Sequence, residues 1–133
     1  MLAALNTTGQ TIIKAKKSRD HSELLFKYLK IPIKIIKRNK FDIIKIIGKN
    51  NIPSLNYKIP SDISSAAFFI VLTALSKNSS LKIKNVNINP SRMGVFFILK
   101  LMGIKISKLN KKNYKGEKIA DIKIKSVKSI KPI

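Results

Sequence analysis

Three short segments of this chain share one pattern, which constrains the fold more than any other feature of its sequence. Each segment places hydroxyl side chains beside a charged residue, and an apolar run follows. Small polar residues ahead of apolar residues at helical spacing are typical of helix N-termini. The pattern therefore predicts three helices, each entered from a loop. The segments are residues 18–23, 60–69 and 89–94.

Around these segments the apolar residues alternate between period two and period 3.6, which is typical of successive strands and helices. The predicted helix over 63–75 is apolar on nearly all sides, so we expect it to be buried. A connector is expected at 50–54, and a Lys/Asn/Gly loop is expected between the last two strands. The predicted helices are residues 20–30, 63–75 and 91–102. The predicted strands are residues 11–15, 33–37, 42–47, 55–59, 81–86, 104–106 and 121–125.

This order of elements predicts an α/β fold made of repeated units. Residues 55–125 read as strand, helix, strand, helix, strand, strand, which is one complete βαβαββ unit. The first third of the chain matches the back half of that order and so reads as a partial unit. The apolar residues 2–5 read as the last turn of a helix. We therefore expect the chain to be a fragment that begins inside a unit.

Composition excludes several kinds of chemistry. The chain has no cysteine, which excludes disulfides, zinc–thiolate sites and thiol nucleophiles, and its single histidine, His21, excludes a multi-histidine metal site. The longest apolar stretch, residues 66–75, is far shorter than the ~20 residues of a membrane span. No signal-peptide pattern is present, so we expect a cytoplasmic location and no membrane partner.

The formal net charge is +22, from 28 basic and 6 acidic residues, so a nucleic-acid partner has to be considered. Lysines recur along the whole chain, however, and only Arg19, Arg38 and Arg92 are arginines. Aromatic residues, on which nucleic-acid bases stack, make up 7%. Joint enrichment in Lys, Ile and Asn is typical of A/T-rich coding sequence. A basic nucleic-acid-binding α/β module is therefore kept as the alternative rather than the first interpretation.

Ser18 and Arg19 are the best candidates for a binding site. A hydroxyl and a guanidinium beside a helix N-terminus suit a phosphate group, because backbone N–H groups and the helix dipole face the anion. A helix cap flanked by a solvated arginine is the alternative. His21 lies in the first helical turn and has a side chain suited to general base catalysis, but a polar surface role fits it better. We predict no catalytic residue and no metal ligand in this chain.

The other two segments favour structural roles. Asp62 is most simply the N-cap of the helix over 63–75. Ser64 and Ser65 suit ligand contact or close packing, and packing is favoured. Ser91 is predicted to cap the last helix. Arg92 opposes the dipole of that helix, so it is expected to have a partner, with a structural contact favoured over a ligand.

At these segments the chain resembles the enolpyruvyl transferase family, and within it the branch that acts on shikimate 3-phosphate. Several segments match in the family's order and spacing, which is more specific than any one of them. The branch that acts on a UDP-N-acetylglucosamine substrate is the weaker alternative, because residues 18–23 fit its sequence pattern less well. The matching segments are residues 2–9, 18–23, 59–69, 86–92 with Gly94, and 99–103.

The resemblance implies an inside-out α/β barrel fold with two domains of three βαβαββ units each. Residues 1–57 would end the last unit of one domain, and residues 58–133 would cross over and form the first unit of the other. It also implies transfer of the enolpyruvyl group of phosphoenolpyruvate to the 5-hydroxyl of shikimate 3-phosphate, a step of chorismate and aromatic amino-acid biosynthesis. Both substrates are anions bound between the domains, and no metal or organic cofactor is required.

By the same resemblance, Ser18 and Arg19 match positions that contact shikimate 3-phosphate. The family's other substrate-binding and catalytic positions have no counterpart here, so the chain alone is expected to be inactive and to need the missing parts. The family's Pro-Gly-Asp turn reads Pro60-Ser61-Asp62 in this sequence. If that turn needs a positive φ, Ser61 is a poor replacement for glycine.

Overall fold

The structure is a computed structural model that describes residues 1–49 and 51–133. Asn50, the first residue of the predicted connector, lies outside the described residues. The chain divides into two compact units, Met1–Tyr57 and Lys58–Ile133. Each unit has its own three-stranded sheet and its own hydrophobic core. No helix among the described residues has the length and apolar character needed to cross a membrane.

The first unit is an antiparallel sheet in the order β1-β3-β2 with a helix packed on one face. Alternation along β3 turns Ile44 and Ile46 into the core, where Phe26 of the helix meets them. The predicted helix and the three predicted strands are confirmed to within about two residues at each end. The elements are α1 (Leu2–Leu5), β1 (Gln10–Lys16), α2 (His21–Tyr28), β2 (Ile33–Lys37) and β3 (Phe41–Ile47).

The second unit has an antiparallel sheet in the order β4-β6-β5 and two helices. Ile122 of the central strand is fully buried together with Ile70, and Phe96 packs in the same core. Mixed helix and strand content in both units confirms the predicted α/β class. The elements are α3 (Ile63–Leu75), β4 (Ser80–Asn87), a 3₁₀ turn (Pro90–Arg92), α4 (Gly94–Leu101), β5 (Ile106–Tyr114) and β6 (Glu117–Lys125).

The predicted strand over 55–59 is wrong. These residues lie outside the sheet, and the segment meets β4 through a single parallel bridge between Ser61 and Val86. The backbone N–H of Ser61 donates to Asn85 O at 2.9 Å, and Asn87 N donates to Ser61 O at 2.9 Å. The described second unit is therefore αβαββ rather than the complete βαβαββ unit that the sequence predicts.

The predicted loop before residue 121 is also wrong. β5 and β6 are nine-residue strands joined at Lys115 and Gly116. Both turn residues have positive φ, 48° and 91°, as a type I′ hairpin turn requires. Lysine and asparagine are poor strand formers, but cross-strand pairing with the buried β6 outweighs that preference.

The helix predicted over 91–102 has two parts, the 3₁₀ turn and α4. Its cap is Asn89 rather than Ser91, because the Asn89 side-chain oxygen accepts from Ser91 N at 2.9 Å and Ser91 Oγ at 2.8 Å. Asn89 is itself buried. The predicted stop at Gly103 is confirmed, since this residue has φ +88°.

The expectation that α3 is buried holds for one face only. Ile63, Ala66 and Ile70 pack on the sheet, whereas Phe68 on the other side is 79% exposed. An α-helix lying on one sheet can bury only the residues that recur at i, i+3 and i+4. Large apolar side chains on the rest of α3, Phe68, Phe69, Leu72 and Leu75, are mostly exposed in their own unit.

Candidate functional site

Ser18 and Arg19 lie in the short loop between the end of β1 and the start of α2. Both side chains are exposed. The loop leaves the sheet after Lys16, which pairs with Phe41 on the central strand. The helix starts at His21, with Asp20 at its N-cap position and Leu24 N donating to Asp20 O at 3.0 Å. The structure therefore places the two candidates at a helix N-terminus, as the sequence predicts.

This loop is basic and open to solvent. Lys16, Lys17 and Arg19 bring three cationic side chains within four positions, and Asp20 is the acidic residue beside them. Among the described residues, Arg19 has no ion-pair partner, whereas Arg92 of the second unit pairs with Asp62. A phosphate here would meet a guanidinium, a hydroxyl and the positive end of α2. These features are compatible with an anion site, and anion binding by Ser18 and Arg19 stays a prediction.

His21 is half-buried in the first turn of α2, not fully exposed. Its neighbours in sequence are Asp20 and Ser22, and no second histidine exists in the chain. Within residues 1–49 and 51–133, no three His, Asp or Glu side chains come together where they could hold a metal ion. The structure does not test general base catalysis by His21, which the sequence leaves as the less favoured alternative to a polar surface role.

The second and third sequence segments meet in the second unit. Arg92 Nη2 lies 2.7 Å from Asp62 Oδ1 and donates to Ser64 Oγ at 2.7 Å. Asp62 Oδ2 in turn accepts from Ser65 N at 2.9 Å and from Ser65 Oγ at 3.1 Å. The predicted N-cap at Asp62 and the predicted structural partner of Arg92 are confirmed. We call Asp62, Ser64, Ser65 and Arg92 the Asp62–Arg92 cluster.

The contacts of Asp62 favour its ionised form. The Ser65 backbone N–H lowers the pKa of the Asp62 carboxyl, partial burial opposes this, and the Ser65 hydroxyl and Arg92 lower it further. The charge of Arg92 is thus matched inside the cluster. Ser64 and Ser65 are exposed, so the close packing predicted for them is wrong. Both serines instead make hydrogen bonds within the cluster, to Arg92 and Asp62.

Ser61 fits its turn without strain. The six non-glycine residues with positive φ among the described residues do not include it. Its backbone joins β4, and its hydroxyl donates to Lys84 O at 3.1 Å. The turn at Pro60-Ser61-Asp62 therefore does not need glycine here, and the expected difficulty is absent.

Sequence reasoning missed Asp121, an acidic residue of the second unit with three polar partners. This buried carboxylate on β6 accepts from Asn85 N at 3.1 Å and from Asn110 Nδ2 at 2.9 Å, and Lys82 Nζ lies 3.0 Å away. Asn85 and Asn110 both have left-handed φ, 52° and 50°, at the two irregular points of the sheet register. One side chain on the central strand thus holds a β-bulge in each outer strand.

These contacts lower the pKa of the Asp121 carboxyl to about 2, mainly through the Asn85 backbone N–H and then through Asn110 and Lys82. The sequence signal for this role is a single acidic residue between apolar neighbours in a strand otherwise rich in lysine, Ile119–Lys125. The signal is weak, because the asparagines it needs are 36 and 11 positions away.

Comparison with known proteins gives one family. A family model described as EPSP synthase (3-phosphoshikimate 1-carboxyvinyltransferase) matches residues 1–133. The chain is 41% identical over 127 residues to a 3-phosphoshikimate 1-carboxyvinyltransferase of Petrotoga mobilis, and 39% identical over 130 residues to that of Hydrogenovibrio crunogenus. These alignments cover 95% and 96% of this chain.

The fold has a similar counterpart among solved structures. The EPSP synthase from Acinetobacter baumannii superposes with a TM-score of 0.83 at 35% identity, over 99% of this chain. That match covers 29% of the Acinetobacter protein, and the two relatives above are likewise covered over 29% of their length. The chain therefore spans less than a third of the proteins it matches.

Proposed function

This chain belongs to the EPSP synthase family, and we propose that it is part of an enzyme that transfers the enolpyruvyl group of phosphoenolpyruvate to the 5-hydroxyl of shikimate 3-phosphate. The new bond joins the 5-oxygen to the enolpyruvyl carbon, the hydroxyl proton is lost, and inorganic phosphate leaves. The observation that carries the proposal is the family match over all 133 residues, together with 41% identity to a relative of that function.

Within this enzyme, Ser18 and Arg19 are proposed to bind shikimate 3-phosphate. Two observations support the assignment. Both side chains are exposed at the start of α2, and Arg19 has no counter-charge among the described residues. A guanidinium that is not matched internally is available for a phosphate or carboxylate group.

We further propose that the two compact units belong to the two domains of the family's inside-out α/β barrel fold. Residues 1–57 would end the last repeat unit of one domain, and residues 58–133 would form the first repeat unit of the other. The division of the chain between Tyr57 and Lys58 supports this assignment. So does the recurrence of a three-stranded antiparallel sheet with its central strand last in the chain, β3 and β6.

The active enzyme is proposed to need the remaining two thirds of the family's length. Phe68, Leu72 and Leu75 recur at helical spacing on α3 and are all exposed. Exposed apolar faces of this size on a soluble domain are typical of surfaces that other protein covers. The family's other substrate-binding and catalytic positions are also absent from this sequence. The chain alone is therefore expected to be inactive.

Phosphate release tests the proposal. The full-length protein that contains this chain should release inorganic phosphate from phosphoenolpyruvate only when shikimate 3-phosphate is present. The 133-residue chain alone, assayed at the same concentration, should release none. Full-length protein that releases phosphate with a UDP-N-acetylglucosamine acceptor instead, or with neither acceptor, would contradict the proposed substrate.

A further inference from the structure

A groove in the second unit runs between α4 and the edge strand β5. Its volume is about 680 Å³, which is large enough for a small organic molecule. The helix contributes one face, at positions 93, 96, 97 and 100, and the strand contributes its first residues. The lining of the groove includes Met93, Phe96, Phe97, Lys100, Lys105 and Lys108.

The groove is lined by three lysines and by no acidic residue. Lys100, Lys105 and Lys108 all line it. The six acidic residues of the chain lie elsewhere in the sequence, at positions 20, 23, 42, 62, 117 and 121. Two carboxylates of this unit, Asp62 and Asp121, pair with Arg92 and Lys82. None of the residues that line the groove is acidic, so no lining carboxylate neutralises its three lysines.

The register of the sheet explains why Lys108 points to the groove. Lys108 pairs with Ile122, which is fully buried on the helix-facing side of β6. Alternation puts both side chains on that side. The Lys108 ammonium accordingly lies 5.8 Å from the centre of the Phe96 ring. Burial lowers the pKa of Lys108, and the charges of Lys111 and Lys100 lower it further.

Helix chemistry does not account for these lysines. A cation in the last turn of a helix can serve the free carbonyl groups there. In α4 those carbonyls are already used, because Ile98 O, Leu99 O and Lys100 O accept from the backbone N–H groups of residues 102, 104 and 103. The charges of Lys100 and Lys108 also oppose each other, and an anion in the groove would relieve this repulsion.

We propose that this groove binds a small phosphorylated molecule with an apolar body. Lys100, Lys105 and Lys108 would surround the phosphate, since lysine binds phosphate as a mobile point charge. Phe97, which is 63% exposed, and Met93 offer the apolar contact. The groove is argued from residues of the second unit alone, so the inference does not depend on the roles proposed for Ser18 and Arg19 or on the proposed enzymatic function.

Titration of the full-length protein with phenyl phosphate, followed by NMR of lysine side chains labelled at Cε, tests the proposal. Saturable shifts of Lys108 and Lys100 are expected, with the Lys108 pKa rising when the ligand is bound. Lys108→Gln should weaken binding at least about tenfold, the size expected for one lost charged hydrogen bond. Lys108→Arg should retain most of the affinity.

Lys123→Gln is the matched control. Lys123 is exposed on β6 and pairs with Ser107, on the opposite face of the sheet from Lys108. The Lys123→Gln substitution removes the same charge as Lys108→Gln and should change the affinity for phenyl phosphate less than twofold. Equal weakening by both substitutions would show a general effect of charge and overturn the proposal. Absence of saturable binding would overturn it too, as would oligonucleotide binding in place of phenyl phosphate.

Discussion

Two places where the chain enters a helix look alike in sequence and differ in the structure. At the start of α2, Arg19 stands exposed beside Ser18. At the start of α3, Asp62 is bound by the backbone of Ser65 and by Arg92, which arrives from the 3₁₀ turn about thirty positions later. Both places combine a helix N-terminus, hydroxyl groups and an arginine. Among the described residues, the arginine of the second place has an ion-pair partner and the arginine of the first has none.

The difference teaches that a motif of this kind becomes a ligand site or a structural contact according to what the fold brings to it. In the Asp62–Arg92 cluster, the cap carboxylate takes the place that an anionic ligand would occupy at a helix N-terminus. In the loop at Ser18, the nearby acidic residue Asp20 sits at the N-cap while Arg19 faces solvent.

The largest effect is expected at Arg19. In the full-length protein, Arg19→Ala should weaken shikimate 3-phosphate binding by ~1.5–3 kcal/mol, because a charged hydrogen bond to the ligand is lost. Binding is measured by calorimetry, and the unfolding midpoint should not change. Lys27→Ala, at the other end of α2 and also exposed, is the control for loss of one positive charge. An unchanged binding constant would remove Arg19 from the site.

The next largest effect concerns acid stability of the second unit. The Asp121 carboxyl has a pKa of about 2 in the folded protein, against an ordinary value of 3.8. The group therefore stabilises the fold above about pH 5, and this contribution is lost as the pH falls toward 2. Asp121→Asn should reduce stability at pH 7 and flatten its dependence between pH 5 and 2. The free energy of unfolding, measured in urea at several pH values, checks this. If it changed with pH in the same way for the wild type and for Asp121→Asn, the prediction would be wrong.

A smaller effect is expected at Asp62. Asp62→Ala removes the side-chain cap of α3 and should cost about 1 kcal/mol of unfolding free energy, the usual size for an N-cap. Asp62→Asn retains an acceptor for Ser65 N and should recover part of that loss. Because the cluster is structural, shikimate 3-phosphate binding should stay within twofold of wild type for both variants. Loss of binding with unchanged stability would make Asp62 a ligand contact instead.

The sequence predicts local elements well and long-range contacts poorly. The alternating apolar residues of β2 and β3 and the caps at Asp62 and Gly103 are local signals, and the structure confirms them. β5 was expected to be mostly loop, because its lysines and asparagines are poor strand formers. Pairing with β6 makes it a strand, and no local pattern contains that information.

The errors at α3 and Asp121 have the same cause. The sequence shows that α3 is apolar on nearly all sides, but it does not show which of its residues pack against the sheet. In the structure Ile70 is fully buried and Phe68 is exposed. Asp121 depends on Asn85 and Asn110, which only the sheet brings beside it. At the site, the sequence predicts the helix start and the types of side chain. Whether an arginine has an ion-pair partner depends on tertiary contacts: Arg92 pairs with Asp62, and Arg19 has no such partner among the described residues.

The smallest effect is expected for the ion pair itself. Arg92 Nη2 lies 2.7 Å from Asp62 Oδ1, but the Asp62 side chain is 43% exposed, so solvent screens the attraction. A double-mutant cycle with Arg92→Ala and Asp62→Ala should give a coupling of about 0.5 kcal/mol in urea unfolding. The coupling should shrink in 1 M salt, because exposed pairs are screened there. If Arg92→Ala instead weakened substrate binding as much as Arg19→Ala, both arginines would be ligand contacts and the distinction between the two helix starts would fail.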